Sequence, residues 1–436
     1  MYNSTTNLKT KLIKKQFWKI AEKVFVIVGL TFFTGAFDIG LTLFTGALLP
    51  SFIRTAIRYF IWVTSLLIIC LDWKSALRTA NREKLLWILT AIILLSFLWS
   101  DVYSETLSNN REVLQMTSFG LYFATRFSLK EQVKLVALTF SIGALLSIFF
   151  ALFIPAIAIH ERDHNGAWRG IYDYKNTFGS MMIINSLALF LLPIDNPRSR
   201  IYQKIGIAIA LAMILLCTSK TSLVVCSILV LILSFYRKFR WRGKVTVLFL
   251  DIGILILGCV GTLVISNWAT LITSLGRDPT LTGRTLIWNF IFMKLEDKPW
   301  LGYGRSAFWS HQSKYAAEAG QTLGYGLILP HAHNGFIDIT LDVGYIGLFI
   351  FIIIYFTAFM RSIKQAYATN NPEDMWPLGF LIFLAMNNMT ESYLLRLSNI
   401  YWTLFITVVL SVQQTRPASN LVGKWNLRKN KQIRKT

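Results

Sequence analysis

"LPHAHNGFIDITLDVGYIGLFIFIII", Leu329 to Ile354, places two of the chain's five histidines, His331 and His333, at the entrance to a long apolar run. After Asn334 that run carries only Asp338 and Asp342 as charges, and it continues well past the ~20 residues that a spanning helix needs. Gly344 and Gly347 punctuate its first turns, where they allow close helix packing. The stretch reads as a membrane helix. A histidine titrates near pH ~6.5 in ordinary surroundings, so an imidazole at such a helix mouth points to proton chemistry.

The rest of the chain agrees with a bilayer. Its 436 residues are 54% hydrophobic and 15% charged, with a mean hydropathy of +0.51, which leaves too little charge for a soluble surface. Backbone groups in hydrocarbon must satisfy one another, so the spans are expected to be helices. The formal charge of +22 invites a nucleic-acid reading. Its distribution excludes one, because the basic residues concentrate in alternate loops and both tails, as the positive-inside rule describes. The four cysteines, Cys70, Cys217, Cys226 and Cys259, all lie in apolar runs and read as small core residues.

The expected class is therefore all-α, a polytopic membrane protein of about twelve spans. These fall at 20–37, 56–71, 84–100, 112–126, 133–154, 177–193, 203–217, 221–236, 245–266, 334–360, 376–391 and 398–413. Basic tails at 1–19 and 414–436 flank spans 1–9 (20–266), one large extracytoplasmic loop (267–333) and spans 10–12 (334–413). Both termini are expected in the cytoplasm. No cleavable signal peptide is expected, since the first basic tail leads straight into a span. In the large loop an amphipathic helix is expected at about 284–296, stopped by Asp297-Lys298-Pro299, with Trp288, Trp300, Tyr303 and Trp309 at headgroup level.

Several residues are candidates for chemistry. Tyr202 to Cys217 spans only ~24 Å as a helix, short of the ~30 Å hydrocarbon core. A hairpin with Thr218-Ser219-Lys220-Thr221-Ser222 at its tip is expected, and it recesses Lys220. A lysine there either snorkels to the interface or meets an anionic partner. Arg169, Lys175, Arg284 and Arg305 stand on the outer side, where basic residues are scarce, and suit either lipid headgroups or an anionic ligand. His160, His164 and His311 read as solvated loop residues. Apart from Asp338, one turn on, a metal site at His331 and His333 lacks ligands at conventional spacing, so no metal or other cofactor is expected. Asn334 suits a helix N-cap, and Asp338 and Asp342 suit either the positive helix end or the orientation of an imidazole.

His333-Asn334, nine residues and then Gly344-Tyr345-Ile346-Gly347 resembles the His-[Asn/Ser/Gln]-x9-Gly-x-x-Gly signature of the bacterial O-antigen ligase family. "GRTLIW" with Arg284, "KPWLGYGRSAFW", "RGIYDYKNTFG" with Arg169 and Asn176, and "TSKTSL" with Lys220 are similar too, so the resemblance covers roughly residues 165–350. It implies a metal-independent, inverting glycosyltransferase on the outer side of the bacterial cytoplasmic membrane. The implied donor is a glycan on undecaprenyl diphosphate, and the acceptor is a saccharide on lipid A core or on a growing polysaccharide. The implied roles give His333 to the acceptor hydroxyl as general base, and Arg284, Lys220 and Arg169 to the diphosphate. Asn334, Asp338, Gly344 and Gly347 support them. Lysine at 220 stands where many members have arginine, so charge is kept and the bidentate fork is lost. Membrane lipids are the other expected partners. A transporter or flippase of lipid-linked sugar is the alternative, disfavoured by the lack of internal repeats.

Overall fold

The computed structural model describes residues 2–37, 51–161, 164–194, 196–239, 257, 284–322, 328–369, 371–396 and 399–412. Among these the chain is all-helical, and the one strand-like pairing is an isolated bridge between Ile159 and Trp168. The helices are α1 Tyr2–Phe33, α2 Ser51–Leu71, α3 Trp73–Ala80, α4 Lys84–Leu95, α5 Tyr103–Arg126, α6 Leu129–Phe153, α7 Pro155–Ala158 and α8 Lys175–Phe190. They continue as α9 Pro197–Leu216, α10 Lys220–Phe239, α11 Arg284–Asp297, α12 Lys314–Gln321, α13 Gly335–Ala368, α14 Trp376–Asn388 and α15 Ile400–Ser411. Every expected span coincides with one of these helices except 245–266. That span, the loop residues 267–283 and the tail 414–436 lie outside the described residues, apart from residue 257.

Four described helices are long and apolar enough to cross a membrane: Phe52–Leu71, Leu129–Phe153, Pro197–Leu216 and Gly335–Ala368. Their surfaces fit that setting. Along α6 one face exposes Leu138, Ile142, Leu145, Phe149 and Leu152, while Val133, Val136, Phe140, Ala144 and Ala151 are buried on the other. Steps of three and four residues on both faces make a helix that is apolar all round. Water would penalise the first set, and lipid does not. Inside, α15 lies against α5 and α8 lies between α6 and α9, around fully buried Trp376, Trp402, Phe119 and Phe140.

Helix α13 is not one continuous rod. Gly344 adopts φ 69° and ψ −174° within it, so the turn opens. The groups freed by the break are taken up by the segment Pro299–Gly304. Tyr303 and Gly304 donate their amides to the Leu341 and Asp342 carbonyls at 2.7 and 3.1 Å. In return Tyr345 and Ile346 donate to Pro299 and Trp300 at 2.8 and 3.3 Å. A Cβ at Gly344 would stand 2.1 Å from the Trp300 oxygen, so only glycine admits both the dihedral and the approach.

Gly344→Ala is expected to lower the melting temperature of the detergent-solubilised protein, the backbone strain alone costing roughly 1–3 kcal/mol. An unchanged melting temperature would show that the inserted segment does not hold the break.

Candidate functional site

Four separate pieces of chain meet around one cavity of about 560 Å³. The first is the α9–α10 hairpin tip. Thr218 takes a left-handed φ of 49° there, which turns the chain within three residues and sets Lys220 at the start of α10. The second is the start of α8, where Lys175 and Asn176 face the tip. Ser219 donates its hydroxyl to Asn176 Oδ1 at 2.8 Å, which ties the two together. The third is α11, which begins at Arg284, and the fourth is the histidine loop that leads into α13.

The histidine loop is pinned from both sides at Ala332. Its carbonyl accepts Trp288 Nε1 at 2.8 Å, one turn along α11 from Arg284, and its amide donates to Asp338 Oδ1 at 3.1 Å. Asn334 caps α13, its Oδ1 accepting from the Phe336 and Ile337 amides at 3.0 and 3.2 Å. His333, between these anchors, holds a left-handed φ of 55°. Its amide donates to Nδ1 of His331 at 3.2 Å, with the two rings 4.2 Å apart. An Nδ1 that accepts carries no proton. Burial first, then the charges of His333, Arg396 and Arg284, push the His331 pKa down to about 2. His331 is thus a neutral acceptor that fixes the backbone of His333.

Glu391 lines the cavity, and sequence reasoning missed it, reading it as the last residue of a span. Only 8% of its side chain is exposed. Oε1 accepts Asn176 Nδ2 at 2.8 Å and lies 3.7 Å from an Arg284 nitrogen, while Oε2 lies 3.8 Å from His333 Nδ1. Arg284 also donates to the Thr390 carbonyl at 2.8 Å, and the Glu391 carbonyl accepts the Gly335 amide at 3.1 Å. One signal was available: a lone acid between two asparagines and an arginine. Four cations, Lys175, Lys220, Arg284 and Arg396, line this cavity against two carboxylates, Asp173 and Glu391.

The structure therefore brings together His333, Arg284 and Lys220, with Asn334 and Asp338 one layer behind and Gly344 two turns along α13. Gly347 lies on the same helix, where a Cβ would press on Val343. Arg169 is not among the residues lining the cavity. Its guanidinium donates to the Ile157 and Ala156 carbonyls at 2.7 and 3.3 Å, closing the loop after α7. Arg305 meets neither headgroups nor solvent. It is fully buried, donating to the Asn109 and Leu395 carbonyls at 2.6 and 3.0 Å. Burial pulls its pKa below the ordinary guanidinium value, against the Glu112 and Asp342 carboxylates that raise it.

Other expectations are corrected as well. His164 is not simply solvated, because it hydrogen-bonds Tyr174 at the cavity wall. Of the four aromatics expected at headgroup level only Trp300 is exposed. Trp288 and Trp309 turn their N–H groups to Ala332 and Asp338, and Tyr303 donates to the Lys294 carbonyl at 2.6 Å. Their polar atoms find partners inside, which removes the reason to sit at an interface.

Residues 205–352 match the family model described as O-Antigen ligase. Over 113 residues the chain is 31% identical to the exopolysaccharide production protein ExoQ of Rhizobium meliloti (strain 1021), covering 25% of this chain and 26% of that protein. The aligned stretch thus spans about a quarter of that relative's length. Both matches support an O-antigen ligase-like family. The matched segment contains Lys220, Arg284, His333 and the two glycines, while Asn176 and Glu391 lie outside it.

The lowered His331 pKa has a pH signature. Neutral His331 favours the folded state, so its contribution is complete above the unfolded value of ~6.5 and is lost progressively as pH falls toward about 2. His331→Asn keeps an acceptor without a titratable ring. The variant is expected to lose less thermal stability than wild type between pH 7 and pH 5, and equal losses would remove His331 from this role.

Proposed function

We propose that this O-antigen ligase-like chain is a membrane glycosyltransferase of surface-polysaccharide biosynthesis, acting on the outer side of the bacterial cytoplasmic membrane as a ligase or a polymerase. The donor is a glycan on undecaprenyl diphosphate, and the acceptor is a sugar hydroxyl on lipid A core or on a growing polysaccharide. The observation that carries this reading is the convergence of His333, Arg284 and Lys220, from three distant parts of the chain, on one cation-rich cavity. That cavity suits a diphosphate.

In this mechanism the acceptor oxygen bonds to the anomeric carbon as the bond from that carbon to the diphosphate oxygen breaks. Attack comes from the face opposite the leaving group, so the configuration inverts. The hydroxyl proton passes to His333. Its Nδ1 is the buried nitrogen, on the Glu391 side, so Nε2 is the edge that takes the proton. Glu391, 3.8 Å from Nδ1, stabilises the imidazolium electrostatically as it forms, much as an acid partner does for a catalytic histidine elsewhere. The electron pair leaves with the diphosphate, whose growing charge meets Arg284, Lys220 and Lys175 already in place. Arg169 shapes the neighbouring loop in this scheme.

His333→Ala is expected to fold with a modestly lowered melting temperature, since alanine takes the left-handed φ of 55° less readily than histidine, and to lose glycan transfer by about 10²–10⁴-fold, the usual contribution of a general base. Glu391→Gln should lower kcat more than it raises KM for the donor. Full transfer by His333→Ala protein would sink the assignment. In a deletion strain, long chains stranded on the lipid carrier identify a ligase and single repeat units identify a polymerase.

A further inference from the structure

Beside the cation-rich cavity lies a second one, of about 340 Å³, near the lower end of the ~300–1,000 Å³ typical of small-molecule sites. His331 and Arg396 line both cavities and form the wall between them. The charge changes sign across that wall. Glu105, Asp338 and Asp342 face the second cavity, with Arg396 as its one lysine or arginine, and Trp309 and Asn109 complete the polar and aromatic lining.

The lining matches the chemistry of a sugar ring. Asp338 accepts Trp309 Nε1 at 2.8 Å, Asp342 accepts the Ser306 amide at 2.8 Å, and Glu105 accepts the Ser310 hydroxyl. These bonds hold the three carboxylates in place. A carboxylate offers about four lone-pair sites, so each can still accept hydroxyl hydrogens. Asn109 and Arg396 add donors, and the half-buried Trp309 adds an apolar ring for a C–H face. In place of the four cations of the first cavity, a phosphate or an acidic sugar would meet three acidic side chains and one arginine here.

The geometry points to a saccharide subsite in this second cavity, selective for uncharged sugar rings, with Arg396 bridging it to the cavity that takes the diphosphate. The assignment rests on the glycosyl-transfer reading for its biological meaning. Its physical basis is separate: sugars bind here whether or not transfer follows. The subsite places a sugar next to the histidine loop, on the far side of His331 from Lys220 and Arg284.

The test uses the full-length protein in nanodiscs and saturation-transfer NMR with two probes, the methyl glycosides of a neutral hexose and of a uronic acid. The neutral glycoside is expected to show transfer and the uronide little. Asn109→Ala should weaken the neutral signal by about 5-fold, the order expected for one lost hydrogen bond, and Trp309→Ala, which removes the ring face, by a similar factor. The double variant Lys220→Ala, Arg284→Ala should leave it intact. Equal signals from both probes, survival of the neutral signal in both cavity variants, or its loss in the double variant would each overturn the proposal. Glycan transfer retained by His333→Ala would overturn the catalytic reading alone, because binding is read here without turnover.

Discussion

The architecture around the site depends on a repaired helix break. Opening α13 at Gly344 frees carbonyls at Leu341 and Asp342 and amides at Tyr345 and Ile346, and away from water each such group left alone costs several kcal/mol. The segment 299–304 satisfies them as a pairing strand would, so the chain after α11 packs into the break at one register only. From that register the rest follows. Arg305 reaches the Asn109 and Leu395 carbonyls, and Ser306 reaches Asp342. Trp309 reaches Asp338, whose carboxylate holds Ala332 and hence His333.

Charge is the second constraint. A cavity that gathers Lys175, Lys220, Arg284 and Arg396 would repel itself without counter-charge. Glu391 supplies part of it, and it is buried only because Asn176, Arg284 and the nearby His333 surround it. The same carboxylate thereby serves two needs, balancing cations and facing the buried nitrogen of the imidazole. His331 has a different part. Kept neutral, it accepts a backbone hydrogen and holds a residue in the left-handed region, where histidine occurs more readily than most side chains.

Much of this was legible in one dimension, for identifiable reasons. Apolar runs report helices because the bilayer demands internal hydrogen bonding, and the α11 boundaries follow from Asp297-Lys298-Pro299. His333, Arg284 and Lys220 stood out as titratable or basic groups in segments that the charge pattern expects to be poor in them. Glu391 did not, since an acid at the end of an apolar stretch looks like an ordinary boundary. Arg305 was misleading for the opposite reason: its charge suggested solvent or a ligand, and its carbonyl partners come from residues 109 and 395.

By itself, then, the sequence determined the helical class, the positions of the apolar helices among the described residues and the residue types able to move a proton or hold an anion, because these depend on local composition and spacing. Only the tertiary structure decided which of them meet. Lys220, Arg284, His333 and Glu391 lie on elements far apart in the chain, and their approach depends on the Ser219–Asn176–Glu391 hydrogen bonds and on the register set at Gly344. It also removed Arg169 and Arg305 from the cavity by giving their guanidinium groups carbonyl partners. No local pattern encodes such partners, because a hydrogen bond across the fold leaves no period in the chain.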